Sequence, residues 1–218
     1  FSIVTYTGNG SAGAKIAHGL GVVPEMIIVK NLTDSSNWLI YFKGEGANRY
    51  GYLNLTNAWV TDTTGFNNNE PTSSVFSVGT ANETNGNTDS LVAYCWHSVP
   101  GFSKIGTYEG NANANGPYIN IGFKPSLLII KNIDRSVDWI IIDNKRDPFN
   151  NGVSSLLKPS TNSSESEANN QGIDLLSNGF KVRQSSSNAF NASSETHVYM
   201  AFAEHPFLGD GTNPATAR

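Results

Sequence analysis

The stretch GVVPEMIIVKNLTDSSNWLIYF at residues 21–42 is written a second time, as GFKPSLLIIKNIDRSVDWIIID at residues 122–143. The two align without a gap. Gly21 and Gly122, Pro24 and Pro125, Lys30 and Lys131, Asn31 and Asn132, and Trp38 and Trp139 each stand 101 residues apart. Backwards, with slight slippage, FSIVTYTGN at 1–9 matches FSKIGTYEGN at 102–111. Forwards, VFSVG at 75–79 matches GFKVR at 179–183, and LVAYCWHSVPGF at 91–102 corresponds to HVYMAFAEHPF at 197–207. A match of this length makes the chain two copies of one β unit. We assign residues 1–100 to the first lobe, 101–208 to the second and 209–218 to a C-terminal tail.

Within each copy the candidate strands are short and rich in β-branched and aromatic residues: SIVTY, MIIVKN, NWLIYF, GYLNL, SVFSVG and SLVAYCWHSV in the first. Asn, Gly, Ser and Thr clusters separate them, a pattern that reads as an all-β sandwich or barrel. The expected fold is two tandem, homologous, jelly-roll-like β-sandwich lobes with very little helix. The best helical candidates are VSSLLKP at 153–159 and a turn near SESEAN at 164–169. The short apolar link SVPGF at 98–102 argues for lobes packed against each other, because a mobile linker is longer and more polar.

The 218 residues include 38% hydrophobic, 11% aromatic and only 15% charged residues, with a net charge of −4. Disordered chains combine few aromatics with high net charge, so this chain is expected to fold. A mildly acidic protein lacks the footprint for a phosphate backbone, so no nucleic-acid partner is expected. Its longest basic cluster, NKRDP at 144–148, is flanked by acids and reads as a solvated turn. No apolar run reaches the roughly 18 residues of a membrane span, and no signal peptide opens the chain. It begins inside a strand-like segment, as a piece cut from a longer polypeptide would.

The stretch YTGNGSAG at 6–13 contains G-x-G-x-x-G, the spelling of a dinucleotide-binding loop. Such a loop needs a following helix to carry the pyrophosphate. Here AKIAHGLGVVP follows, and its glycines and Pro24 deny a stable helix. In the second copy the stretch becomes YEGNANANG, which keeps the Gly-Asn turn and loses the spacing. The motif reads as a glycine-rich turn, and no cofactor is expected.

Features present in both copies serve the fold. Pro24 and Pro125 set strand starts. Trp38 and Trp139 read as core anchors, with sugar-stacking platforms the alternative. Lys30 and Lys131 read as rim charges, each pairing with a nearby acid. Features present once are better functional candidates, because a requirement of the fold would appear twice. AWVTDTTGFNNNEPTSS at 58–74 is one, and DNKRDPFNNG at 143–152 is another. Loops on a rigid β scaffold carry binding residues, so Trp59, Phe66, Asn67, Asn68 and Asn69 form the candidate ligand-binding set. Packing of Trp59 down over a sheet end is the competing fate.

Catalysis finds little support. His18, His97, His197 and His205 lack metal-ligand spacing, no calcium loop appears, and G-x-S-x-G is absent. Carboxylates are sparse, whereas a glycosidase needs two acids converging at about 5–10 Å. Cys95, the single cysteine, lies in an apolar run and reads as a small buried hydrophobe. Neither catalytic nor metal residues are assigned.

The phrases FSIVTYTGNG, HGLGVVPEMIIVKN, LVAYCWHSVPGFSKIGTYEGN, LSNGFKVR, YMAFAEHPF and GDGTNPATAR extend over nearly the whole chain. Together they resemble a duplicated domain found at the C-terminal end of tail-fibre-like virion structural proteins of marine and cyanobacterial bacteriophages. Cys95-Trp96-His97 departs from the Cys-Phe-Ala of that pattern, which makes His97 a local specialisation or neutral drift. The resemblance brings no catalytic or ligand residue to transfer. It implies a non-enzymatic component on the outside of the virion, assembled with other virion proteins, homo-oligomeric with a trimer favoured, and displaying a host-surface glycan-binding face. A capsid or tail decoration protein without receptor binding is the alternative, and a glycan-active enzyme or accessory module ranks third. Amide- and hydroxyl-rich surfaces with few charges suit a particle that stays soluble in high salt, where charge pairs are screened.

Overall fold

The computed structural model describes residues 1–150, 152, 154–168, 172–185 and 189–206. The expected tail at 209–218 lies outside these residues. Two compact units divide between His97 and Ser98, three residues before the boundary read from the sequence.

The first unit contains β1 (Ser2–Thr7), β2 (Ala14–Ala17), β3 (Met26–Asn31), β4 (Leu39–Phe42), β5 (Arg49–Tyr52), β6 (Val60–Thr61), β7 (Val75–Val78), the single helical turn α1 (Asn82–Asn85) and β8 (Ser90–Trp96). Six strands form one antiparallel sheet in the order β1-β8-β3-β4-β5-β6, and β2 pairs with β7. Alternation decides the faces. Ile27 and Val29, Leu39 and Tyr41, and Leu91, Ala93 and Cys95 point to one core. Phe76, Val78 and Ile16 of the β2–β7 pair close that core from the other side, with Phe66. Burial pushes the Cys95 thiol up to about 11, as befits a packing residue.

The second unit contains β9 (Ser103–Glu109), β10 (Tyr118–Asn120), β11 (Pro125–Asn132), β12 (Ile140–Asp143), β13 (Ser154–Leu156), β14 (Ser166–Ala168), β15 (Ile173–Leu176), β16 (Gly179–Val182) and β17 (Thr196–Ala203). Its larger sheet runs β12-β11-β17-β9, a three-stranded sheet runs β10-β16-β15, and β13 pairs with β14. Leu128, Ile130, Ile142, Tyr108 and Tyr199 meet Ile119, Phe180 and Val182 across the core. Both units are all-β, and the sequence repeat is a repeat of topology: β9-β17-β11-β12 mirrors β1-β8-β3-β4, and β10–β16 mirrors β2–β7. The smaller layers hold two and three strands, fewer than the four of a full jelly-roll sheet.

The helical reading of 153–159 and 164–169 is corrected. Ser154–Leu156 and Ser166–Ala168 are paired strands, and Leu157 bridges to Ile141. An apolar run this short carries no usable periodicity, so its partner across the sheet decides its state.

The Gly-Asn turns are structural locks. A Cβ on Gly8 would lie 2.1 Å from the Gly86 carbonyl oxygen, and one on Gly110 would lie 2.2 Å from that of Ala192. Only glycine permits so close an approach of two backbones. The Asn9 N–H donates to Asn85 Oδ1 at 2.9 Å, and the Asn111 N–H donates to Asn191 Oδ1 at 3.0 Å. Both clamping asparagines are buried, and both turns are held the same way.

Candidate functional site

The loop from Asp62 to Ser74 is built from local hydrogen bonds. Asp62 Oδ1 accepts the Thr64 N–H at 2.7 Å, which holds this carboxyl below its ordinary range. The Thr72 hydroxyl accepts the N–H groups of Ser74 and Val75 at 3.3 and 3.1 Å. His18 is buried beside it: Nδ1 accepts the Leu20 N–H at 3.1 Å, so Nε2 carries the proton and donates to the Thr72 carbonyl at 3.1 Å.

This construction separates the sequence candidates. Trp59 is 6% exposed and Phe66 1%, so neither presents a ring to a ligand, and their placement in the binding set is corrected. Trp59 lies over the bare backbone of Gly51, where a Cβ would sit 2.1 Å from Nε1, and meets Phe42 edge-on at 6.2 Å. Phe66 packs edge-on to Tyr41 at 5.6 Å. Burial of large aromatic area wins over display. Asn67 and Asn68 take left-handed backbone, with φ of 56° and 50°, which asparagine tolerates. Asn69 is exposed, its Nδ2 tied to the Asn67 carbonyl at 3.0 Å.

Asn69 lines a groove that the other four do not line. Its other walls are Gly13, Lys15, Glu70, Thr72, Val75 and Ser77, enclosing about 190 Å³. Glu70 is fixed from beneath: Oε1 accepts the Ala47 N–H at 2.7 Å and Oε2 accepts the Tyr41 hydroxyl at 2.5 Å. Burial, followed by that carboxylate, raises the Tyr41 phenol, so it stays a donor. Each carboxylate oxygen keeps a lone pair for a second donor. Lys15 adds a cation, and Asn69, Thr72 and Ser77 add amide and hydroxyl groups. Glu70 is the single carboxylate among the described residues lining the groove. Tyr41 has Ile142 at its repeated position, which makes this arrangement specific to the first unit. Sequence reasoning missed Lys15 and Glu70, although Glu70 stands beside the asparagine run it selected.

A second feature is a row of aromatic rings on the face of the six-stranded sheet opposite the first unit's core, where Trp38, Tyr94 and Trp96 are half-buried. Trp38 stacks on Tyr94 at 6.3 Å, Tyr94 on Trp96 at 6.0 Å, and Phe1 lies 4.9 Å from Trp96. The alternation of Leu91, Ala93 and Cys95 against Val92, Tyr94 and Trp96 carried this signal. Trp139 is buried as expected of a core anchor, whereas Trp38 is half-buried at the end of the aromatic row.

The repeated lysines are corrected from rim charges to turn clamps. Lys30 Nζ donates to the carbonyls of Asn31 and Asp34 at 2.5 and 3.1 Å, and Lys131 Nζ donates to those of Asn132 and Arg135 at 2.6 and 3.2 Å. Lys131 is fully buried, and desolvation pulls its pKa down to about 8. In the basic cluster, Arg146 pairs with Asp143 and Glu165, both at 2.7 Å. Among the described residues no three His, Cys, Asp or Glu side chains converge on a possible metal position, and no helix is long and apolar enough to cross a membrane.

No curated protein and no solved structure matches the chain. A family model described as a domain of unknown function (DUF7483) matches residues 1–206, and the chain belongs to that family.

Proposed function

We propose that the chain is a non-enzymatic structural module on the outside of a bacteriophage particle, and that its first unit binds a host-surface glycan in the groove between Lys15, Asn69 and Glu70. The groove itself carries the reading. It is a depression of about 190 Å³ whose carboxylate is held by Tyr41 and Ala47. Sugar hydroxyls both donate and accept, and the groove offers a fixed acceptor, a cation, an amide and hydroxyls in reach of one another. Preorganised polar groups lose little entropy on binding. The lone carboxylate supports binding over hydrolysis, which requires a second acid. The virion setting rests on the sequence phrases quoted above, and it makes homo-oligomer formation useful, because weak single sites gain strongly from multivalency.

The test is to incubate the labelled chain with intact host cells and compete with their purified surface polysaccharide. Saturable binding removed by the polysaccharide supports the reading. A chain that coats purified particles and ignores cells would instead support a decoration role.

A further inference from the structure

The larger sheets of the two units end in four edges, and three are guarded. β6 is only two residues long. β12 is covered by Leu157, which exchanges two backbone hydrogen bonds with Ile141 at 2.8 and 3.1 Å. β9 carries Lys104 and Glu109, and its outward Ile105 N–H is taken by the Ser98 hydroxyl at 2.9 Å. Short length, charge and covering segments are the devices by which edge strands avoid pairing with other chains.

β1 has none of them. Its sequence SIVTYT carries no charge, proline or glycine, and its register with β8 is unbroken from Ser2 to Thr7. The neighbouring bonds identify which groups face outward. The Gly8 N–H reaches the Asp89 carbonyl on the β1 side of β8, while the Glu25 N–H reaches Trp96 and the Leu32 N–H reaches Ser90 on the β3 side. Even-numbered residues of β1 therefore bond to β8, and the N–H and C=O groups of Ile3 and Thr5 point away from it. No hydrogen bond to those groups is made by another segment among the described residues. The repeat supplies an internal control. Ile3 and Ile105 hold equivalent positions, opposite Tyr94 and Met200, yet Ile3 is 58% exposed and Ile105 7%.

We infer that this edge pairs with the same edge of a second copy of the chain, antiparallel about a two-fold axis centred on Val4. In that register Val4 faces Val4, and Ile3 faces Thr5 of the other copy. Both are outward residues, so each such pair exchanges two backbone hydrogen bonds. The strand is uncharged, so two copies meet without like charges opposed, which would oppose pairing. A self-complementary patch is what an isologous two-fold interface requires. Pairing lowers the exposure of Ile3, which is 58% in the single chain. The inference is independent of the glycan groove, and a two-fold pair differs from the trimer that the sequence resemblance implies.

The experiment is light scattering on the whole chain over a dilution series, repeated with Thr5→Pro and Ile3→Lys, with amide hydrogen exchange on each. Proline at residue 5 removes a donor used only across the edge, so the unit keeps its internal ladder. The expected result is a dimer, slow exchange at the Ile3 and Thr5 amides, and monomers for both variants with the β8 and β3 amides still protected. A monomeric or trimeric parent chain, or a dimer that survives both variants, would overturn the inference.

Discussion

Asn85 and Asn191 do the same work in the two units: each buried side chain accepts the N–H of the asparagine in the Gly-Asn turn and donates back to the surrounding backbone. Asn85 Nδ2 reaches the carbonyls of Gly79 and Ser11 at 2.7 and 2.9 Å, and Asn191 Nδ2 reaches those of Asn113 and Gln184. Replacing either by alanine strands several buried groups, each costing about 1–3 kcal/mol. Asn85→Ala and Asn191→Ala should each lose about 2–4 kcal/mol. Chemical denaturation read by hydrogen exchange in the affected unit measures it. A loss under 1 kcal/mol in both would contradict the clamp.

The residue that closes each lock is strained. Thr88 has φ 67° and its counterpart Ser194 has φ 57°, and the N–H of each bonds the turn glycine, Gly8 or Gly110, at 2.9 and 3.0 Å. Left-handed backbone is costly for a β-branched residue. Thr88→Gly should therefore raise the thermal midpoint of the first unit, by about 1 kcal/mol in stability. A fall in the midpoint would show that the threonine side chain contributes more than its backbone costs.

His197 gives the second unit an acid sensitivity at a position that Leu91 holds in the first. It is buried and stacked on Tyr108 at 4.9 Å. Nδ1 donates to the Glu195 carbonyl at 3.0 Å, and Nε2 lacks a partner. Burial pushes its pKa down to about 4, and Lys131 adds to the fall, against the opposing pull of Glu195 and Asp134. The unfolded chain takes up the proton near pH 6.5, before the folded one does. Stability from this group is thus complete above that value and is lost as pH falls towards 4, by about 3 kcal/mol in all. The difference between the parent chain and His197→Leu in melts from pH 7 to 4 isolates the effect, and the variant should lose less. Parallel curves would refute it.

Much of the fold was legible because the repeat keeps its offset from Gly21 through Trp38, and because proline, the Lys-Asn pair and tryptophan mark the same places twice. The glycine-rich stretch was legible for the same reason, since the second copy kept its turn and lost its apparent motif. The candidate site was less so. Whether Trp59 faces solvent depends on the bare backbone of Gly51 beneath it, a neighbour found only in the folded sheet. Charge misled at Lys131, because the carbonyls that receive its ammonium come from a turn closed by tertiary packing. Glu70 was overlooked because its importance comes from Tyr41, on a strand 29 residues away in sequence.

Removing the two kinds of loop residue should have opposite consequences. Trp59→Ala should cost stability, about 3–5 kcal/mol as for other buried aromatics. Asn69→Ala should leave the melting midpoint within experimental scatter, because its side chain is exposed. Both are read from thermal melts of the first unit, and a stable Trp59→Ala protein would contradict the assigned packing.

The most direct measurement is calorimetric titration of the chain with purified host-surface polysaccharide, alongside Lys15→Ala and Asn69→Ala. The expected result is saturable binding by the parent chain and a loss of about tenfold or more in affinity for each variant, about 1.4 kcal/mol. Binding that persists unchanged in both variants, or its absence from the parent chain, would contradict the assignment of the groove as the glycan site.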